Sequence, residues 1–152
     1  MKITVDRATL SDIPFIAALE KDTFSMPQSE SELLKMLALD NNILLVAKYG
    51  DERAGYVGAY TVCRESDIVT VATSPSFRRK GVARELLSAL FESLSGESDA
   101  VFLEVRERVT ARRAHFISRS VFLKREYDAD ITKIQAKTRY FTKRIYKNTC
   151  TF

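Results

Sequence analysis

Seven residues, Arg78-Arg79-Lys80-Gly81-Val82-Ala83-Arg84, bring four cations, one glycine and one small residue to the point where an extended apolar run gives way to helical spacing. Such a turn suits an anion. The N–H groups at the mouth of a helix, backed by the positive end of its dipole, stabilise negative charge, and glycine lets a bulky pyrophosphate approach the backbone. Small Ala83 keeps the helix entrance uncrowded, and the flanking cations add charge. The stretch has no second glycine and no Gly-Lys-Ser/Thr, so it is neither a Walker loop nor a dinucleotide fingerprint. On these residues alone, a solvated basic turn or a short nucleic-acid patch explains it equally well.

The elements that must hold this turn follow from hydrophobic period. Ile3-Thr4-Val5 suggests a first strand, and Ser11 is a plausible N-cap for a helix turning Ile13, Ile16, Ala17 and Leu19 inward, with Pro14 tolerated in its first turn. Phe24 to Gln28 reads as a loop. Ser29 and Glu32 then form a capping box for a helix with Leu33, Leu34, Met36 and Leu37 on its buried side. The period changes to that of strands at Ile43–Tyr49, and Gly50-Asp51 turns the chain into a second strand, Arg53–Val62. Asp67–Thr73 is a third consecutive strand, ended by Pro75. Past the basic turn, Val82, Leu86, Leu87, Leu90, Phe91 and Leu94 mark an amphipathic helix that stops at Gly96, and Ala100–Val105 supplies a fifth strand. The order β-α-α-β-β-β-α-β is mixed α/β, a meander with one crossover helix.

Composition narrows the class. The chain has 152 residues, 45% hydrophobic and 29% charged, which fits one soluble globular domain and excludes a disordered, collagenous or disulfide-stapled protein. No apolar run approaches the roughly 20 residues of a membrane span, and the opening residues are strand-like, unlike a signal peptide, so a cytoplasmic protein without a membrane partner is expected. Cys63 and Cys150 lack metal-ligand spacing and are expected to be free thiols.

The anion turn and two further stretches together carry a resemblance. Arg78 to Ala83 is similar to the R/Q-x-x-G-x-G/A motif of the GCN5-related N-acetyltransferases (GNAT), which hold the pyrophosphate of acetyl-CoA on that turn. Val71-Ala72-Thr73 runs directly into it, where the family's fourth strand presents backbone groups to the pantetheine arm. Leu103-Glu104-Val105-Arg106 is close to the L-E-V-R of the RimI branch, which acetylates protein N-termini and whose founding member modifies a ribosomal protein at an alanine. The resemblance implies a GNAT-like, mostly antiparallel sheet flanked by helices, with acetyl-CoA as co-substrate and a protein N-terminus as acceptor. Val71, Ala72, Thr73, Arg78, Arg79, Lys80, Gly81, Val82, Ala83 and Arg84 would bind the cofactor, and an amide such as that of Val71 would polarise the thioester oxygen. Glu104 would be the general base, because an ammonium has no lone pair until a carboxylate, usually through water, removes its proton. Without the turn, Glu104 reads as an exposed strand residue paired with a nearby cation. Phe24 to Gln28 resembles the family's substrate-lining loop, although an apolar packing loop explains it nearly as well.

The likeness stops at a seam in composition. Residues 1–107 carry 12 Lys/Arg against 17 Asp/Glu, a net of −5, whereas residues 108–152 carry 12 against 3, a net of +9. All five glycines and all three prolines also precede residue 108. The domain therefore divides into a core, 1–107, and a basic tail, 108–152. The family expects S/A-N after Arg106, then A-x-x-L-Y-x-x-L-G-F with the tyrosine that protonates the departing thiolate. If each codon's third base is joined to the next codon's first two, Phe116 to Phe122 permits Y-L-S-L-G-F, and Ile134 to Phe141 permits P-x-E-D-A-I-L. Losing one GA from a GAG-AGA-GTA-ACN encoding of Glu107 to Thr110 restores E-S-N. The tail is accordingly expected to be the out-of-frame translation of an acetyltransferase C-terminus. Tyr127, Tyr140 and Tyr146 offer no spacing for a replacement acid, and His115 is expected to be no catalyst. Two alternatives stay open: a CoA-binding but catalytically impaired chain, and a nucleic-acid- or ribosome-binding protein using Arg78 and the aromatics and cations of Arg139 to Arg144.

Overall fold

A computed structural model describes residues 2–106 and 140–146. Among these residues six strands form one sheet in sequence order: β1 (Ile3–Arg7), β2 (Asn42–Tyr49), β3 (Glu52–Val62), β4 (Glu65–Thr73), β5 (Ala100–Arg106) and β6 (Tyr140–Tyr146). Neighbours are antiparallel except β4 and β5, which run parallel because α3 (Val82–Ser93) carries the chain across one face between them. The other face is covered by α1 (Ile13–Thr23) and α2 (Glu30–Ala38). This is the mixed α/β order expected from the hydrophobic period, and the mostly antiparallel sheet that the resemblance implied. Of the basic tail, Tyr140–Tyr146 is the strand beside β5, where the sequence suggested only an aromatic and basic patch; Cys150, His115 and Tyr127 lie outside the described residues.

The two faces pack two cores. Val82, Leu86, Leu87, Leu90 and Leu94, the spacing expected of α3, are buried against Leu45, Ala47, Val57, Ile68 and Leu103. Burying each such side chain contributes roughly 1.5–3 kcal/mol, so α3 and the turn at its mouth are firmly placed. Opposite, Ile13, Ile16, Ala17 and Leu19 of α1 and Leu33 of α2 meet Leu44, Val46, Tyr56 and Ala72. Leu34 was expected inside but is 42% exposed, because this nine-residue helix buries only Leu33 completely, with Met36 and Leu37 partly covered.

Two local expectations change. Ser11 does not cap α1. A short 3₁₀ turn, Leu10–Asp12, precedes the helix, and the reciprocal pair is Thr9 and Asp12: the Thr9 amide and hydroxyl both donate to Asp12 Oδ2, at 2.8 and 2.7 Å. A Thr-x-x-Asp spacing satisfies two groups at once, whereas the Ser11 hydroxyl meets the Thr9 hydroxyl and, at 3.5 Å, the Arg53 guanidinium, but no helix amide. Asp12 also accepts from Arg53 Nε at 2.6 Å, joining the helix start to β3. The expected Ser29–Glu32 box is present, with the Ser29 amide donating to Glu32 at 2.7 Å. Strand β4 begins at Glu65, two residues before the expected Asp67, because Cys63 and Arg64 make a tight hairpin turn with φ of 49° and 63°. Arg64 is fixed there by a two-toothed pair with Asp99, at 2.8 and 2.7 Å. The Cys63 thiol is free and exposed, as expected.

Candidate active site

Strand β4 ends at Thr73, and the Ser74 amide still donates to Ala54 of β3 at 2.9 Å. That bond fixes the phase of the strand. In an antiparallel pair, alternate residues turn their N–H groups toward and away from the partner, so Ala72 faces β3 whereas Val71 and Thr73 face the opposite side. On that side β5 is absent. The last rung between the two parallel strands is Ile68–Leu103, although β4 continues to Thr73 and β5 to Arg106. The two strands thus part, leaving the Val71 and Thr73 amides directed into the opening. Where they part, β4 carries a bulge: Gly58 pairs with Thr70 and Ala59 with Ile68, so Val69 has no opposite number, and it is 46% exposed. Glu104 is the first residue of β5 beyond the last rung, paired on its other side with Thr142 of β6.

Beyond the strand the basic turn closes onto α3. Pro75–Phe77 forms a 3₁₀ turn, and Arg78 Nε donates back to the Thr73 carbonyl at 3.3 Å. Arg79 and Gly81 have φ of 64° and 90°, left-handed values that glycine adopts without penalty. The first helical amides to find carbonyls are those of Arg84 and Glu85, both on Gly81 at 3.0 and 3.1 Å, so the amides before them start the helix without an intrahelical acceptor. Among the described residues, a methyl group at Gly81 would meet only Ile3 Cδ1, at 3.9 Å. At Gly55 the reverse holds: an added Cβ would lie 2.5 Å from the Ala72 carbonyl and 3.2 Å from Val82, so its absence lets the mouth of α3 sit close on the sheet.

The residues expected to hold the cofactor therefore divide. Val71 and Thr73 offer amides to the opening, whereas Ala72 is buried with its backbone toward β3. Gly81 and Ala83 line the helix mouth, and Val82 anchors it in the core at 1% exposure. Arg78, Arg79, Lys80 and Arg84 are exposed. The Lys80 ammonium stands 5.0 and 5.1 Å from the Tyr49 and Phe77 rings, and Arg84 lies 3.4 Å from Glu85. A diphosphate-bearing thioester fits these residues: amides at a helix mouth, surrounding cations, and a strand edge that faces no partner strand among the described residues lie in sequence along one path.

A buried polar cluster was not foreseen. Glu20 of α1, 2% exposed, accepts from the Gln28 amide at 2.7 Å, from the Thr70 hydroxyl at 3.2 Å and from the Tyr56 hydroxyl, which itself lies 3.0 Å from Thr70. Burial raises its pKa above the usual carboxylate value, only partly offset by the Gln28 and Thr70 hydrogen bonds. The sequence does contain the signal: position 20 follows Ile13, Ile16 and Ala17 at helical spacing, so a carboxylate occupies the buried stripe. Among the described residues, no group of three His, Cys, Asp or Glu side chains is arranged to hold a metal, and no helix is long and apolar enough to cross a membrane.

The mixed sheet whose parallel strands part beside the mouth of α3 is the fold of the N-acetyltransferases described below, and the chain belongs to the acetyltransferase (GNAT) family, whose model matches residues 13–119. Acetyltransferases of this family use acetyl-CoA. The chain is 31% identical over 110 residues to the uncharacterized protein ML0378 of Mycobacterium leprae, covering 68% of this chain but spanning only 30% of that curated relative. Its fold is similar to that of the ribosomal-protein-S18-alanine N-acetyltransferase of Escherichia coli, with TM-score 0.69 and 22% identity over 78% of this chain and 76% of that one. It is also similar to the PaiA N-acetyltransferase of Thermoplasma acidophilum in complex with coenzyme A, with TM-score 0.74 and 11% identity over 97% and 100% of the two chains.

Proposed function

We propose that this chain transfers an acetyl group from acetyl-CoA to the N-terminal α-amine of a protein, with an alanine of a ribosomal protein as the model acceptor. The observation that carries this reading is the unpaired edge of β4, Val69 to Thr73, leading straight into the turn of Gly81. When bound, acetyl-CoA supplies an activated acyl group as a thioester. The amides of Gly81 to Ala83 and the exposed Arg78, Arg79, Lys80 and Arg84 hold the diphosphate. Thr73 and Val71 present amides along the arm, and the Val71 N–H donates to the carbonyl oxygen on which negative charge develops. Glu104, on the strand that diverges from β4, accepts the proton that the acceptor ammonium must lose before its lone pair can attack. Holding both reactants in one opening supplies much of the remaining rate. On the out-of-frame reading of residues 108–152 given below, the tyrosine that protonates the departing thiolate in the family is lost, and no residue of this chain is assigned to that step.

One neighbour in fold supports the acceptor class: the Escherichia coli structure is that of a ribosomal-protein-S18-alanine N-acetyltransferase. The test is release of free CoA thiol and acetylation of an Ala-starting peptide, followed by mass spectrometry. Turnover confirms the reading. Stabilisation by acetyl-CoA without transfer to any peptide would identify a CoA-binding but impaired chain, and no stabilisation at all refutes the site.

Residues 108–152 are, on the same reading, an out-of-frame translation of the family's closing segment. Sequencing genomic DNA across the codon for Glu107 is expected to reveal a miscounted GA repeat, and an unbroken frame there would refute it.

A further inference from the structure

We propose that Glu20 is a positioning residue for the acceptor side of the site, fixing the loop Phe24 to Gln28 and joining it to the part of β4 that borders the strand opening. This inference rests on the acceptor reading above. The loop is held at both ends by one residue: the Phe24 amide donates to the Glu20 main-chain carbonyl at 2.9 Å, and the Gln28 amide donates to the Glu20 carboxylate at 2.7 Å. Between those ties, Phe24 and Met26 present apolar side chains to solvent, at 36% and 82% exposure. The other carboxylate oxygen reaches the sheet through Tyr56 of β3 and Thr70 of β4. Thr70 stands between bulged Val69 and Val71, whose amide faces the opening.

Core stability gives no reason for a carboxylate at this position. Ile13, Ile16 and Ala17 fill the neighbouring positions of the same stripe, and a leucine at 20 would continue it without a charge to desolvate. Buried ionic groups are commonly no better for stability than apolar residues of similar volume. What an apolar side chain lacks is the means to accept from three donors on three separate elements, the loop, β3 and β4. The carboxylate thereby sets where Phe24 and Met26 stand relative to the amide of Val71, and so where an acceptor peptide lies relative to the acyl group.

The experiment compares wild type with Glu20→Leu, Glu20→Gln and Gln28→Pro, reading KM for an Ala-starting peptide, Kd for acetyl-CoA, and hydrogen exchange of the loop amides. Loss of one charge-assisted hydrogen bond to the loop is expected to raise the peptide KM by about tenfold to a hundredfold in Glu20→Leu. The Kd for acetyl-CoA should stay within about twofold, because the Gly81 turn is untouched. Glu20→Gln can accept from the Gln28 amide with its oxygen and donate to Tyr56 and Thr70 with its nitrogen, since both hydroxyls also accept; it is expected to bring KM back to within about threefold. Gln28→Pro removes the donor while keeping the buried cluster, and should match Glu20→Leu even if that variant fails to fold. An unchanged KM in folded variants, or KM and Kd rising together, would overturn the proposal. If the wild type transfers nothing, the acceptor reading fails separately, and exchange decides this one: a Gln28 amide protected in wild type and open in Glu20→Leu supports it, and equal protection defeats it.

Discussion

The sharpest perturbation is at Gly81, because conformation and charge can be separated there. Its φ of 90° penalises any side chain, by about 1–2 kcal/mol for an ordinary L-residue and least for Asn and Asp. An added Cβ would have room, its nearest neighbour being Ile3 Cδ1 at 3.9 Å, so crowding contributes nothing. Gly81→Asn and Gly81→Asp therefore carry nearly the same backbone strain and the same shape. Each should lower the unliganded Tm by about 2–8 °C, since roughly 1 kcal/mol moves Tm by about 2–4 °C in a domain of this size. Only the aspartate places a negative charge against the diphosphate. At about 4 Å and an effective dielectric near 20, that repulsion is about 4 kcal/mol per charge pair, which weakens binding by about a thousandfold. At a ligand concentration about 100 times the wild-type Kd, bound acetyl-CoA stabilises by about 2.7 kcal/mol; after a thousandfold loss that gain falls nearly to zero. Differential scanning fluorimetry with and without acetyl-CoA reads both quantities. A ligand-induced shift of wild-type size in Gly81→Asp, or its equal disappearance in Gly81→Asn, would show that the turn is not a diphosphate site.

Three further outcomes follow from other parts of the fold. Gly55→Ala would force a Cβ to within 2.5 Å of the Ala72 carbonyl of β4 and 3.2 Å of Val82 Cγ1, displacing the end of β4 and crowding the mouth of α3; it should weaken acetyl-CoA binding and lower Tm together, as read by the same fluorimetry. Burial acts to raise the Asp12 pKa, but the hydrogen bonds from Arg53 and Thr9 outweigh it and hold the carboxyl below its ordinary value of 3.8. Its contribution is therefore present above pH 3.8 and lost as pH falls through the lower folded value. Asp12→Asn should be less stable by about 1–2 kcal/mol near neutrality, with the gap closing in acid, in urea titrations across pH. Glu20 has the opposite sign: its folded pKa lies above 4.5, so the stability linked to its proton is complete below 4.5 and lost as pH rises through the folded value. Relative to Glu20→Gln, the wild type should lose stability across that window in the same titrations, and a constant difference would contradict the burial argument.

The sequence made the scaffold legible wherever period and punctuation agreed. Helical spacing found the buried face of α3, and Ser29 with Glu32 found the start of α2. The place of the basic turn was legible because Gly81 and its cations stand in consecutive residues between a strand and a helix. The opening between β4 and β5 was not, since it depends on register: nothing in Ile68-Val69-Thr70 shows that Val69 will be left without a partner. The meander was expected, but the tight turn at Cys63-Arg64 was not located because neither residue favours a left-handed backbone, and the contacts that hold Arg64 come from Asp99, 35 residues away. Glu20 illustrates the same limit. Its place in the apolar stripe was readable, whereas its partners on β3, β4 and the loop exist only after folding.

The Arg64–Asp99 clasp bears on how the two parallel strands behave. The Asp99 amide donates to the Arg64 carbonyl at 2.7 Å and the Ser98 hydroxyl to the same oxygen at 3.2 Å, so the beginnings of β4 and β5 are riveted together. Their far ends share no rung. A wedge pinned at its apex has a fixed vertex and one degree of freedom, the angle of its arms. Any breathing of the cleft is thus felt least at Glu65 and Ala100 and most toward Thr73 and Arg106, where a long, slender guest would enter and leave.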